Sequence, residues 1–481
     1  MTVHPHQPPA VPAGWRLHLD RSARTAHGGS VVFGGSPLCV LRLTAAGAAT
    51  VRRWSVGEPV GDALTERRLA RRLLDAGLAH PDPPPADPAQ LTVIIPVRDR
   101  PSELSRCLAA IDDRCPVIVV DDGSANGEAV ATAARTAGAN VVRLDRSRGA
   151  AAARNAGLCA VRTPFVAFVD SDCVVGDGFP ARLLGHLRDP AVAVVAPRIV
   201  ALQSGRGGML GRYEEHHSAL DMGEREGLVK PGSAIPYAPS AALVGRVAVL
   251  NGGFCEQLGM GEDVDLLWRL NDAGWQVRYD PTVSVGHDHR VRWAPWLARR
   301  VAYNASNAPL LRRHPGRVPA LSISRTGAAF WAAVGIGSPV AAAAVDVLSV
   351  VLLGRTLRAH LPAPYHVATR LVVRGELREG RHLARTLSGP WLPAVLAATA
   401  LYPRLARRIW IGVLVSALWE WAEQPREATP LHYLLPKAAE DVARCIGVWR
   451  GCVRERRAGA LLPRLRRHRA SRVAHVPTVS S

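Results

Sequence analysis

An α/β protein is what this 481-residue chain predicts: a doubly wound central domain, a small domain before it and a mostly helical region after it. Three observations carry that expectation. Between Leu91 and Val169, short apolar runs alternate with segments of helical spacing, the pattern of a parallel sheet wrapped by helices. Pro81 to Pro88 holds five prolines in eight residues and separates this block from what precedes it. Beyond residue 300 the alternation gives way to long, uncharged, Ala-rich stretches.

Hydrophobic residues make up 48% of the chain, enough for sizeable cores. The net charge is +20, from 60 basic and 40 acidic residues, and only Lys230 and Lys437 are lysines. The Arg skew reflects coding bias as much as selected charge. Its field still favours anionic partners such as nucleotide phosphates and acidic membrane lipid. No basic recognition helix stands apart from that background, so no nucleic-acid partner is expected. Eight cysteines without a C-x-x-C pair point to a reducing, cytoplasmic setting. The first residues lack an apolar core, so no signal peptide is expected.

In chain order, residues 1–12 are expected to be a disordered tail and 13–80 a small domain. Trp15–Leu19 and Ser30–Pro37 read as strands and Leu43–Trp54 as a helix after a Thr cap. Leu64–Gly77 is a stronger amphipathic helix, with Leu64, Leu69, Leu73 and Leu74 on one face. Residues 81–90 form an extended linker that builds neither helix nor sheet. The central domain, 91–300, opens with the strand Leu91–Val97 and a helix from Ser102. It continues with the strand Pro116–Val120, the helix Gly127–Gly138, the strand Asn140–Leu144, a helix opened by Gly149 and the strand Phe165–Val169. Such a sheet is expected to be parallel, with ligands beyond the strands' carboxyl ends. Three acidic ends then converge: Arg98-Asp99, Asp121-Asp122 and Asp170-Ser-Asp172.

Asp170 and Asp172, two apart at a strand end, point the same way. A divalent hard cation with a phosphate-bearing ligand relieves their repulsion; a solvated turn is the plainer alternative. Asp122 can serve a ligand or cap the next helix. Arg154 can face the site or form an interior salt bridge. Glu262-Asp263 opens a helix behind Gly259-Met-Gly261, where acids are also ordinary dipole partners. His287 and His289 follow the last strand and can add to a metal site or lie on the surface.

Val120-Asp-Asp-Gly-Ser124, Gly149 with Arg154-Asn-Ala-Gly157, Asp170-Ser-Asp172 and Gly261-Glu-Asp263 together resemble glycosyltransferase family 2, over roughly 91–290. The resemblance implies a GT-A doubly wound nucleotide-sugar-binding domain. It places Pro96, Arg98, Asp122, Arg154 and Asp170 on the nucleotide-sugar donor, and Asp172, with Asp170 and His287, on Mg²⁺ or Mn²⁺. It makes Asp263, paired with Glu262, the base of an inverting displacement. His289-Arg-Val-Arg292-Trp293 echoes the Q-x-x-R-W box of processive members, with His for Gln, and so implies Arg292 and Trp293 at the acceptor. Their alternative, with Trp296, is an amphipathic helix on a lipid or protein surface.

The strands and helices of 13–80 resemble winged-helix, PqqD-like peptide-recognition domains, which implies contact with a peptide or a biosynthetic enzyme. Taken whole, the chain resembles family-2 enzymes of ribosomal-peptide cofactor biosynthesis. That implies a peptide-derived redox cofactor as acceptor, UDP-glucose as donor and a β-1,4-glucan product. A cell-envelope glycosyltransferase and an inactive peptide-presenting adaptor are the alternatives.

In the helical region, 301–422, the stretches Thr326–Val345, Thr386–Pro403 and Ile409–Trp419 carry no charge. The first reaches 20 residues, long enough to span a bilayer, but Pro339 would kink it. Membrane association at the cytoplasmic face is expected, with a basic helical segment over 423–481.

Overall fold

Leu91–Val97, with every residue buried, is the axis of the central sheet. Its period of two feeds two cores: Val93 and Ile95 pack on one face and Ile94 on the other. The computed structural model of the chain describes residues 8–202, 208–250, 252–424 and 429–466. On one side of Leu91–Val97 lie Val117–Asp121 and then Asn140–Arg143; on the other lies Phe165–Val169, all four parallel. Beyond Phe165–Val169 the expected parallel arrangement ends. Ala242–Arg246 runs antiparallel to it, and Val192–Ala201 antiparallel to that strand. Gln276–His287 is parallel to Val192–Ala201, and Cys173–Val175 closes the edge antiparallel. The sheet is therefore mixed. The strands that reverse it return after long excursions, so local periodicity did not carry their direction.

The N-terminal unit has a three-stranded antiparallel sheet, Arg24–Ala26, Val31–Gly34 and Cys39–Arg42, and the helices Ala45–Ser55 and Leu64–Asp75. Thr44 caps the first helix by accepting from the Gly47 amide. Trp15, Val51, Trp54, Leu73 and Leu74 form its core, and Val11 is buried among them. The expected tail is thus corrected: residues 1–7 lie outside the described residues, and the chain joins the fold before residue 12. The expected linker is corrected as well. Ala79–Asp82 is a strand pairing antiparallel with Arg16–Leu19, so sheet structure runs through Pro81. In a two-stranded ribbon, proline's missing N–H can face away from the partner.

The far face of the small sheet, at Val31 and Val40, packs on Leu357, Leu361 and Ala368 of the helical region. That region contains the helices Arg325–Ile336, Pro339–Leu357, Pro364–Ser388, Leu392–Leu401 and Pro403–Ala422. The uncharged stretch 326–345 is not one helix: Gly337, at φ +79°, ends one and Ser338 caps the next. Pro339–Leu357, with a mean hydropathy of 1.9, is the one helix among the described residues long and apolar enough to cross a membrane. The expected basic helical segment over 423–481 holds the helix Pro430–Glu455. Pro430–Glu455 packs lengthwise on Trp293–Ala305, where Gly447 and Gly451 leave no room for a Cβ against the Val301 and Ala305 carbonyls. Pro463–Arg466 then pairs in parallel with Leu321–Ser324; 467–481 lie outside the described residues. All eight cysteines are free thiols.

Candidate active site

The carboxyl ends of Leu91–Val97, Val117–Asp121 and Phe165–Val169 open on one crevice, and the helix Glu262–Asp272 closes it from the far side. At its first wall, Asp121 and Asp122 divide the work. Asp121 is buried, accepts from the Ser124 amide at 2.8 Å and pairs with Arg143 at 2.5 Å. The turn-forming role that was the alternative for Asp122 is taken by its neighbour Asp121. Asp122 accepts from the Ser147 hydroxyl at 2.8 Å and from the amides of Arg148 and Gly149 at 2.7 and 2.9 Å. It fixes the loop that starts the helix Ala150–Ala160. Arg98 reaches the same Ser147 hydroxyl at 3.0 Å, so Arg98 and Asp122 meet through one serine. Pro96 lies buried in its strand opposite Val120.

Arg154 is the buried centre of the site. It donates to Asp170 at 2.6 Å and to Glu262 at 2.9 Å, and lies over the Phe254 ring. Burial alone would lower its pKa; Asp170 and Glu262 outweigh burial and raise it. Of the two readings of Arg154, the interior salt bridge is the one formed here, with Asp170 and Glu262 as its partners. Three clustered carboxylates need a permanent cation, and a guanidinium supplies two forks. Asn155, next along, clamps the neighbouring loop, donating to the Phe254 carbonyl at 2.9 Å and accepting from its amide at 2.8 Å.

Asp172 accepts from Arg100 at 2.5 Å, and its other oxygen is 3.6 Å from His287 Nε2. Strand pairing produces that approach, because Cys173 lies directly opposite His287. His289 is committed elsewhere. Its ring nitrogens bond the His287 carbonyl at 2.9 Å and the Ser218 hydroxyl at 2.8 Å, and burial, with His287 beside it, pushes its pKa down to about 4.

A divalent cation fits at Asp172. A carboxylate oxygen of Asp172 and Nε2 of His287, 3.6 Å apart, could converge on one ion. Two protein donors leave the remaining positions to water and phosphate, as Mg²⁺ prefers. No cluster of three or more His, Cys, Asp or Glu side chains able to hold a metal occurs among the described residues. One oxygen of Asp170 is taken up by Arg154 at 2.6 Å.

Glu262 and Asp263 begin their helix behind Gly261, at φ +84°, where a Cβ would run into Leu310 and Ser306. Asp263 accepts from the Ser240 amide at 3.1 Å and from the Val264 amide at 2.8 Å. Burial pushes its carboxyl up; burial and then Asp263 do the same to Glu262. Below them Asp265, fully buried, holds the helix in place through Arg313 at 2.6 Å, and Arg269 and His314 at 2.9 Å.

Arg292 is exposed and Trp293 is 39% exposed at the start of the helix Trp293–Ala305. Trp293 meets Trp296 edge to face, and buried Trp296 donates to Glu214 at 2.6 Å. The lower part of this helix is thus anchored on protein, leaving Trp293 at its rim.

Sequence reasoning missed several site residues. Arg100 was legible as a second Arg after Arg98. Ser240 carries no local signal. Tyr237 and Tyr303 are half-buried and near enough for the Asp263 charge to contribute to raising both phenols, Tyr237 to about 12, with desolvation the larger cause. Arg290 has no ion pair among the described residues. Burial, then Arg299 and Arg100, lower its pKa, and of these only Arg100 is in contact with Asp172 among the described residues.

A D-x-D pair at the end of a central strand, facing an acidic pair on a helix across the crevice of a mixed sheet, defines a GT-A glycosyltransferase. Residues 92–251 match Glycosyl transferase family 2. Pre-mycofactocin glycosyltransferase of Mycobacterium tuberculosis (strain CDC 1551 / Oshkosh) is 40% identical over 471 residues, covering 95% of this chain and 99% of the relative. The chain belongs to that family, the pre-mycofactocin glycosyltransferases. Succinoglycan biosynthesis protein ExoU of Rhizobium meliloti is 25% identical over 228 residues, 45% of this chain and 60% of the relative. Among solved structures, a Pyrobaculum calidifontis mannosyltransferase in complex with GDP-Man and Mn²⁺ aligns at 18% identity and a TM-score of 0.38, covering 70% of this chain and 89% of that one.

Proposed function

We propose that the chain transfers glucose from UDP-glucose to the peptide-derived redox cofactor mycofactocin, or its precursor, and extends it as a β-1,4-linked oligomer. The observation that carries this reading is the position of Asp263: half-buried, held by Ser240, with its pKa raised, across the crevice from Asp170 and Asp172. The near full-length likeness to a pre-mycofactocin glycosyltransferase supports the acceptor.

In this reading Asp263 takes the proton of the acceptor hydroxyl as that oxygen attacks the anomeric carbon opposite the nucleotide. One displacement inverts the centre, so an α-linked donor gives a β-linked product. Arg290 and Arg299 meet the diphosphate's charge, while Arg154 keeps Glu262 and Asp170 in register. Asp172 and His287 would hold Mg²⁺ or Mn²⁺, which supplies positive charge to the departing nucleotide. Trp293, at the rim, offers a ring face to an acceptor sugar.

The chain works at the cytoplasmic face of the membrane in this reading. Ile336, Val340, Val347, Leu401 and Val415 stand exposed on the helical region, and Arg404, Arg407 and Arg408 flank them. The 13–80 unit contacts a peptide or a biosynthetic enzyme.

The test is to incubate the purified full chain with UDP-glucose, Mn²⁺ and the peptide-derived acceptor, and to follow the products by mass spectrometry. A ladder of species spaced by one hexose is expected. An unmodified acceptor alongside glucosylated membrane lipid would move the acceptor to the envelope.

A further inference from the structure

The helices Arg325–Ile336, Pro364–Ser388 and Pro403–Ala422 enclose an open cavity of ≈ 610 Å³. Its size is that of a small-molecule site, roughly 300–1,000 Å³. The walls are apolar, built on Trp331, Trp391, Trp419, Leu377, Val413 and Ile323. All three indole N–H groups are already spent on protein acceptors: the Glu376 carbonyl at 3.2 Å, the Leu461 carbonyl at 2.8 Å and the Glu423 carboxylate at 2.8 Å. Only ring faces are left to a ligand. A peptide laid here would leave its backbone groups unpaired, whereas a hydrocarbon chain has none to satisfy.

Two charged residues line the cavity, Arg381 and Arg408. Arg381 is neutralised by Glu423 through two hydrogen bonds, at 2.6 and 2.9 Å, and lies over the Trp419 ring. Arg408 donates to the Gly335 carbonyl at 3.1 Å and has no carboxylate partner among the described residues. With Arg404 and Arg407 it stands in the opening turns of a helix whose first turn holds no acid. Cations at that end oppose the helix dipole, so an external anion is the group that relieves them.

We propose that this groove takes one acyl chain of an acidic membrane phospholipid, with the lipid phosphate on Arg408. The proposal deepens the membrane-face reading and rests on it. It converts a general apolar surface into a defined lipid site.

The full chain, purified in detergent, is dosed with phosphatidylglycerol or phosphatidylcholine and the retained lipid is counted by native mass spectrometry. Flotation with vesicles containing phosphatidylglycerol is measured in parallel. Retention of one phosphatidylglycerol is expected, with about tenfold preference over phosphatidylcholine. Arg408→Gln should abolish the preference. Gly412 lines the groove, and a Cβ added there meets nothing within 4 Å. Leu suits a helix better than Gly, so Gly412→Leu should fill the groove without unfolding the helix and abolish retention. Both variants should still float. A chain that floats but retains no lipid, or retains it equally in all three forms, overturns the groove and leaves the membrane reading standing. A chain that neither floats nor retains lipid overturns both.

Discussion

Arg154 and Glu262 are joined by a 2.9 Å ion pair across the crevice, although they stand 108 residues apart on different helices. The same guanidinium holds Asp170 at 2.6 Å, so one buried cation ties the D-x-D strand to the helix that carries Asp263. Removing one partner of such a buried pair costs about 3–5 kcal/mol, because the charges left behind stay desolvated. Arg154→Met is expected to lower the melting temperature and the transfer rate together. Arg154→Lys should recover part of the stability, since it restores the charge without the fork. A Met variant that melts and turns over like the wild type would show that the two carboxylates need no counter-ion.

Asp263→Asn keeps the shape of the side chain and one of its two bonds from the Ser240 and Val264 amides but cannot accept a proton. Transfer is expected to fall by about 10²–10⁴-fold while donor affinity, measured by calorimetry, stays near wild type. Burial raises the Asp263 pKa, so the acidic limb of the kcat/KM profile should lie above the ordinary carboxylate range. A limb at or below that range, or an Asn variant with full turnover, would place the base elsewhere.

The order of the motifs showed in the sequence where the acidic strand ends would meet, and the structure brings Asp122, Asp170, Asp172 and Asp263 to one crevice. Their division of labour was not legible. Nothing in Val120-Asp-Asp-Gly-Ser124 tells which aspartate makes the turn, because that depends on Ser147 and Arg143 arriving from elsewhere. Arg154 read from its motif as a donor-site residue, and nothing local showed that Glu262 would be placed beside it. The antiparallel half of the sheet was hidden for a similar reason: a short apolar run such as Ala242–Arg246 carries no direction of its own. Local chemistry was readable, and long-range pairing was not.

Asp172 and His287 are brought together by the pairing of Cys173 with His287, and they are the protein donors at which Mg²⁺ or Mn²⁺ is proposed to sit. Two donors give a weak site that the diphosphate completes, so metal and donor should bind with positive coupling. His287→Ala and Asp172→Asn are each expected to weaken metal-dependent donor binding by roughly 10–100-fold. Titrating the donor with and without Mn²⁺ checks this. Equal donor affinity in the two titrations of the wild-type chain would remove the metal from the site.

His217 stacks on Tyr213 at 4.8 Å and lies 5.0 Å from the Tyr433 ring, where the helix Gly208–His217 meets the C-terminal helix. Its Nε2 is buried without a hydrogen-bond partner. Burial pushes its pKa from 6.5 down to about 4, against the opposing pull of Glu440 and Glu420. Below pH 6.5 the unfolded chain takes up a proton that the folded chain refuses until about pH 4. Stability contributed by the neutral ring is therefore present above the unfolded value and lost progressively as the pH falls through that window. His217→Phe keeps a ring in the stack and removes the titrating group. The fall in melting temperature between about pH 7 and about pH 5 should shrink by a few degrees in the variant. An identical fall in both proteins would mean that His217 takes its proton in the folded state as readily as in the unfolded one.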